Sequence, residues 1–131
     1  MTNLIKLKQL TDELDFGKFV KSTGSYKEIN GINGSIFLYG LFKNKYIAVS
    51  NGVGKKGILI HRHFHKQKEI VIVYKGKMTM TINGDKSIEL SVGNILEIPL
   101  NILHKAEFLE DTEYIVITIP ASDDFPDGDI K

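Results

Sequence analysis

The sequence predicts an all-β fold, a sandwich or barrel of eight or nine short strands, on three observations. Short apolar runs recur along most of the chain with turn signals between them. The run at 78–82, Met-Thr-Met-Thr-Ile, alternates apolar and polar residues strictly, which is the period of a strand with one buried face. No stretch sustains helical spacing long enough to require a helix of more than two or three turns.

The elements follow in order. Residues 4–20 are mixed: Leu10, Leu14 and Phe16 suit a short helix opened by Thr11-Asp12-Glu13, or equally a strand followed by a turn. Residues 1–34 are read as an N-terminal segment ahead of a barrel core at 35–120. Within that core, strand-like runs fall at 35–42, 46–50, 58–65, 69–74, 78–82, 87–90, 95–98, 105–109 and 114–119. Between them lie Lys43-Asn44, a glycine-rich loop at 52–57, Lys75-Gly76, Asn83-Gly84-Asp85, Gly93-Asn94 and Pro99-Leu100-Asn101. Such residues take positive φ or interrupt a ladder at little steric cost. The run Ile70-Val71-Ile72-Val73-Tyr74 is apolar on both alternating faces and must be covered on both. One face lines the interior, and the other needs a second layer, either the N-terminal segment or another subunit, so a homodimer is expected. The register at 78–82 stays open: either Met78 and Met80 or Thr79 and Thr81 face the interior, which decides whether a pocket there is apolar or polar. From Pro120 the chain carries two prolines, a glycine and an acidic excess, so 121–131 is read as an acidic surface tail.

Composition narrows the partners. A chain of 131 residues forms one domain, with a radius of gyration of about 14 Å. Seventeen basic and sixteen acidic side chains leave a net charge of +1, too little to attract a phosphate backbone, and Arg62 is the only arginine. Nucleic acid is excluded as an expected partner. The absence of cysteine removes disulfides, thiolate nucleophiles and sulfur-ligated metals, so any metal must be held by histidine and carboxylate. Lysines interrupt the apolar residues of the first eight positions, and no run approaches the ~18 apolar residues of a membrane span. A cytoplasmic protein without membrane contact is expected.

Two motifs fail on context. Gly52-Val53-Gly54-Lys55-Lys56-Gly57 has the letters of a dinucleotide-binding fingerprint, but Ile58-Leu59-Ile60 opens a strand where that motif needs a helix N-terminus. Asp123-Asp124-Phe125-Pro126-Asp127-Gly128 hints at a calcium loop, but Phe125 stands where an oxygen ligand is required.

The histidines are more informative. His61, His63 and His65 fall at a period of two, which on a regular strand puts all three on one face. Same-face neighbours lie roughly 6.5 to 7 Å apart at Cα, close enough for two imidazoles to reach one ion at nitrogen distances of ~2.0 to 2.1 Å. Glu69 opens the next strand, and His104 follows the Pro99-Leu100-Asn101 turn. Three imidazoles and one carboxylate would half-enclose a divalent metal and leave two octahedral positions open.

This spacing resembles the cupin superfamily. Gly57, five residues, His63, one, His65, three, Glu69, six, Gly76 matches the first cupin signature without a gap. Gly93, five residues, Pro99, one, Asn101, two, His104 matches the second. Asn101 stands where the signature has glycine, a mild change because asparagine tolerates positive φ best among the other residues. Phe108 stands where asparagine is common. The resemblance implies a small jelly-roll β-barrel with little helix, and makes His63, His65, Glu69 and His104 the ligands of one divalent transition metal: Fe, Mn, Ni, Zn or Cu. His61 lies outside the signature, and pairing it with His63 would leave five residues before Glu69 instead of three. It is a pocket or supporting candidate.

The resemblance makes available a small-molecule enzyme of dioxygenase or isomerase type, with a non-catalytic ligand-binding or sensing barrel as the alternative. His61 and Glu97 are candidates for assisting proton transfer. In either case the expected partner is a small molecule.

Overall fold

The computed structural model describes residues 26–84 and 86–121. The helix-or-strand alternative at 4–20, the failed calcium motif and nearly all of the acidic tail lie outside them. Ten strands are found among the described residues: β1 (Tyr26–Gly31), β2 (Gly34–Lys43), β3 (Ala48–Gly54), β4 (Leu59–His63), β5 (Lys68–Lys75), β6 (Lys77–Ile82), β7 (Ser87–Ser91), β8 (Ile95–Ile98), β9 (His104–Phe108) and β10 (Thr112–Ile119). They form a six-stranded sheet in the order β1-β2-β3-β10-β5-β8 and a four-stranded sheet in the order β4-β9-β6-β7, all neighbours antiparallel. A bridge between Ile32 and Leu59 ties the two sheets together beside β1. The expected all-β jelly-roll is the observed architecture.

Each sheet turns its alternate apolar residues inward. Val71 and Val73 of β5, Val116 of β10 and Ile36 of β2 meet Met78 and Met80 of β6 and Phe108 of β9 in one core. The open register at 78–82 is thereby closed: the methionines face in and Thr79 and Thr81 face out, where Thr81 hydrogen-bonds Ser87. On the outer face of the larger sheet, Ile70, Ile72 and Ile117 are half-buried and Ile95 is 66% exposed.

Two expectations need correction. Gly52 and Gly54 are not loop residues: they belong to β3 and pair with Tyr114 and Thr112 of β10. A Cβ on Gly52 would lie 2.2 Å from the Tyr114 ring, and one on Gly54 2.8 Å from the Phe108 ring, so these glycines make room for aromatic rings lying flat on the strand. Phe108 and Tyr114 in turn stack at 5.9 Å, which explains an aromatic at position 108. The larger sheet also begins at Tyr26, with β1 pairing along β2 inside what the sequence suggested was a leading segment.

Candidate metal centre

Three histidines converge between the sheets because of two local irregularities. In β4, Ile60 pairs with Ala106 and His63 with His104, so three steps of β4 oppose two of β9. This is a β-bulge, and it resets the alternation: Ile60 and His63 point inward while His61 and Arg62 are both exposed. The period-two reading that put His61 on the inner face fails at the extra residue. His65 follows β4, where its carbonyl accepts the Asn101 amide at 2.8 Å. Asn101 sits at φ 62°, the left-handed conformation expected of a residue replacing glycine, and its turn delivers His104 to the start of β9.

The rings of His63, His65 and His104 lie 4.4 to 5.2 Å apart between centroids, tilted by 58° to 64°. Their ligand atoms lie within 4.8 Å of one another, and Glu69 falls outside that set. The tautomers follow from what the other ring nitrogens touch. His63 Nδ1 lies 2.6 Å from the His61 carbonyl and His104 Nδ1 2.9 Å from that of Ile102, and a carbonyl only accepts, so both Nδ1 atoms carry the proton. Neither ring then has a proton at Nε2 to offer the other while neutral. His65 Nδ1 meets Glu69 Oε2 at 2.9 Å.

His104 Nε2 is buried and has no hydrogen-bond partner among the described residues. Its nearest polar contact is Glu69 Oε2 at 3.5 Å. A lone pair thus faces a carboxylate lone pair, which is unfavourable unless a proton or cation sits near them.

Burial pushes the His63 imidazole down to about 4, more than its bond to the His61 carbonyl raises it, so this ring is neutral at pH 7. Burial alone would raise the Glu69 carboxyl, but the His104 and His65 imidazoles beside it outweigh burial and hold the group well below the usual carboxylate range. A neutral His63 imidazole and an ionised Glu69 carboxylate are the protonation states that metal ligands require.

The cluster opens into a cavity of about 200 Å³ between the sheets. His61 reaches its rim and contributes its carbonyl to His63. Glu97 does not reach it: 59% exposed, it pairs with Lys68 at 3.3 Å on the outer surface, too far from the cavity to take the part in proton transfer expected of it. Walls from β1, β2 and β10, including Ile29, Leu38 and Tyr114, were not singled out in the sequence, because a pocket lining and a core lining share one apolar pattern.

The donor set fits a borderline divalent ion, since imidazole and carboxylate suit first-row transition metals and the buried Nε2 of His104 lacks a partner that a cation would supply. Glu69→Gln keeps an oxygen to accept from His65 Nδ1 but removes the charge. Metal affinity, read by competition with a chromophoric chelator, is expected to fall about 10- to 100-fold. An unchanged affinity would show that the carboxylate charge plays no part.

Residues 53–120 match the family model described as a cupin domain. No curated protein matches the sequence. Among solved structures, KdgF from a Halomonas species is similar with a TM-score of 0.69 at 21% identity, over 81% of this chain and 94% of that one. An RmlC-like cupin from Shewanella frigidimarina gives 0.67 at 20% identity, over 79% and 91%. Oxalate decarboxylase from Bacillus subtilis gives 0.61 at 19% identity, over 74% of this chain but only 28% of its own length. At such identities these structures speak for the fold, and the family model, which spans more than half of the sequence, speaks for the lineage: this chain belongs to the cupin superfamily.

Proposed function

We propose that the chain is a metal-binding cupin acting on a small molecule, an enzyme of dioxygenase or isomerase type, with His63, His65, His104 and Glu69 holding one divalent ion. The observation that carries this reading is the buried His104 Nε2 facing the Glu69 carboxylate inside a set of three convergent imidazoles. Manganese is suggested by similarity: a structure of Bacillus subtilis oxalate decarboxylase, described for its Mn(II) centres, resembles this chain with a TM-score of 0.64 at 18% identity.

When bound, such an ion supplies a Lewis acid or, for Fe, Mn or Cu, a redox centre. The protein's own residues do the rest. The His61 and Ile102 carbonyls fix the tautomers of His63 and His104, so each presents Nε2 inward. Apolar walls surround the cluster, and His61 at the rim is placed to exchange a proton with solvent.

A second reading, a non-catalytic sensing barrel, draws on one observation. Among the described residues lining the cavity, the only histidines or carboxylates are the cluster itself and His61, which leaves little machinery for acid–base steps. Metal analysis of tag-free protein followed by O₂-uptake and isomer assays on small keto acids, diketones and sugars separates the two. About one metal per chain with turnover supports the enzyme, loaded metal without turnover the sensor, and failure to take up Fe, Mn, Ni, Zn or Cu overturns the metal-dependent enzyme.

We also propose that a second copy of the chain covers the outer isoleucines of the larger sheet, supported by Ile95 standing 66% exposed beside half-buried Ile70, Ile72 and Ile117. Light scattering is expected to give about twice the 14.7 kDa chain mass. A monomer at high micromolar concentration would overturn it. No helix among the described residues is long and apolar enough to cross a membrane.

A further inference from the structure

The cavity above the histidines discriminates among the small molecules that a metal site alone would accept. Its walls include Ile36 and Leu38 of β2, Ile60 of β4, Met78 and Met80 of β6 and Tyr114 and Val116 of β10, with neither lysine nor arginine among the described lining residues. Arg62, the only arginine in the chain, points away, to a shallow outer depression with Thr81 and Lys105. Asn30 is the one amide among the described lining residues, and its Oδ1 already accepts from Ser35.

Charge then selects the ligand. Imidazoles that ligate are neutral, so with an ionised Glu69 a divalent ion held here would leave the site with one positive charge. A monoanion neutralises it, whereas a dianion leaves a negative charge in an apolar chamber with no lysine or arginine among its described lining residues to answer it, and burying an unpaired charge is strongly unfavourable. A sugar has the opposite fault: its hydroxyls would lie against Ile, Leu, Val and Met side chains, each losing hydrogen bonds to water without replacement. The volume of about 200 Å³ corresponds to about six or seven waters at ~30 Å³ each, which limits the ligand to a short body.

We infer that the site takes a small monoanionic oxygen chelator with a short aliphatic body, of the class of a branched-chain 2-oxo acid or the enolate of a 1,3-diketone, with its oxygens at the histidine cluster and its hydrocarbon against Met78 and Met80. The head of this ligand rests on the metal reading above. The body rests on the cavity alone.

The two methionines also provide the test. Protein labelled with [methyl-¹³C]methionine, its signals assigned with Met78→Leu and Met80→Leu, is titrated in the zinc-loaded form with 4-methyl-2-oxopentanoate, 2,4-pentanedione, oxalate and glucuronate. The oxo acid and the diketone are expected to shift both pocket methyl signals and to bind at least about tenfold more tightly than oxalate or glucuronate. Oxalate or glucuronate binding as tightly, or saturation by the oxo acid without movement of either methyl signal, overturns the inference. The metal-free protein is titrated in parallel with 4-methyl-2-pentanone, which has the aliphatic body without the charge. Movement of the same methyl signals supports the apolar subsite even if zinc is not taken up, in which case only the metal reading fails. No movement there overturns the subsite itself.

Discussion

His104→Ala is expected to reduce the metal content of purified protein from about one equivalent per chain to near zero, with loss of the stabilisation that metal confers. His104 is buried, its ring lies within 5.2 Å of both other histidine rings between centroids, and its Nε2 faces Glu69. Removing it takes one of three nitrogens from the set and opens a void in its place. At a metal concentration of a hundred times Kd, binding adds about 2.7 kcal/mol to the folded state, which for a domain of this size raises Tm by roughly 10 °C. The increment should vanish in the variant. Calorimetry with and without metal separates this loss from packing damage, because a void lowers Tm equally in both conditions. A variant that keeps its metal and its full increment would exclude His104 as a ligand.

The convergence of His63, His65 and His104 beside Glu69 was legible because the pattern depends on local spacing. Two histidines one residue apart, a glutamate four residues on and a histidine after a proline turn remain recognisable whatever the strands do in detail. His61 was not, because its orientation depends on an extra residue in β4 opposite β9, and a bulge is a property of two strands that one strand's alternation does not contain. Gly52 and Gly54 show the same limit. A glycine run signals either a turn or a surface on which rings can lie, and only Tyr114 and Phe108, more than fifty residues downstream, choose the second. β1 escaped notice because in Tyr-Lys-Glu-Ile-Asn-Gly the one aliphatic residue, Ile29, packs on the core. The register of β6 could not be read from Met-Thr-Met-Thr-Ile, since both faces carry residues that strands accept, and it took the opposing Phe108 and Ala106 of β9 to bring the methionines inside.

Acidification is expected to destabilise even the metal-free protein, in a window set by His63. Its ordinary value is 6.5, and burial lowers it to about 4 in the folded state. Between these values the unfolded chain binds a proton that the folded chain does not, so stability rises with pH and is lost as pH falls from 6.5 towards 4. At pH 4.5 this one group accounts for a loss of about 2 to 3 kcal/mol relative to pH 7. Glu69 adds a second loss below its ordinary value of 4.5, because a carboxyl held low in the folded state gives up its stabilising contribution only as it is protonated. The sum is a large fraction of the total stability of a domain this size. Urea unfolding of chelator-treated protein at pH 7 and pH 4.5 measures the loss, and His63→Gln, which removes the titrating ring, is expected to shrink it by about 2 kcal/mol. With metal bound, the dependence should be steeper over the same window, because ligating imidazoles must be neutral and metal release then accompanies protonation. If His63→Gln and the unaltered protein lose the same stability between the two pH values, His63 is protonated in the folded state near pH 6.5, and its burial does not hold the ring neutral for a metal.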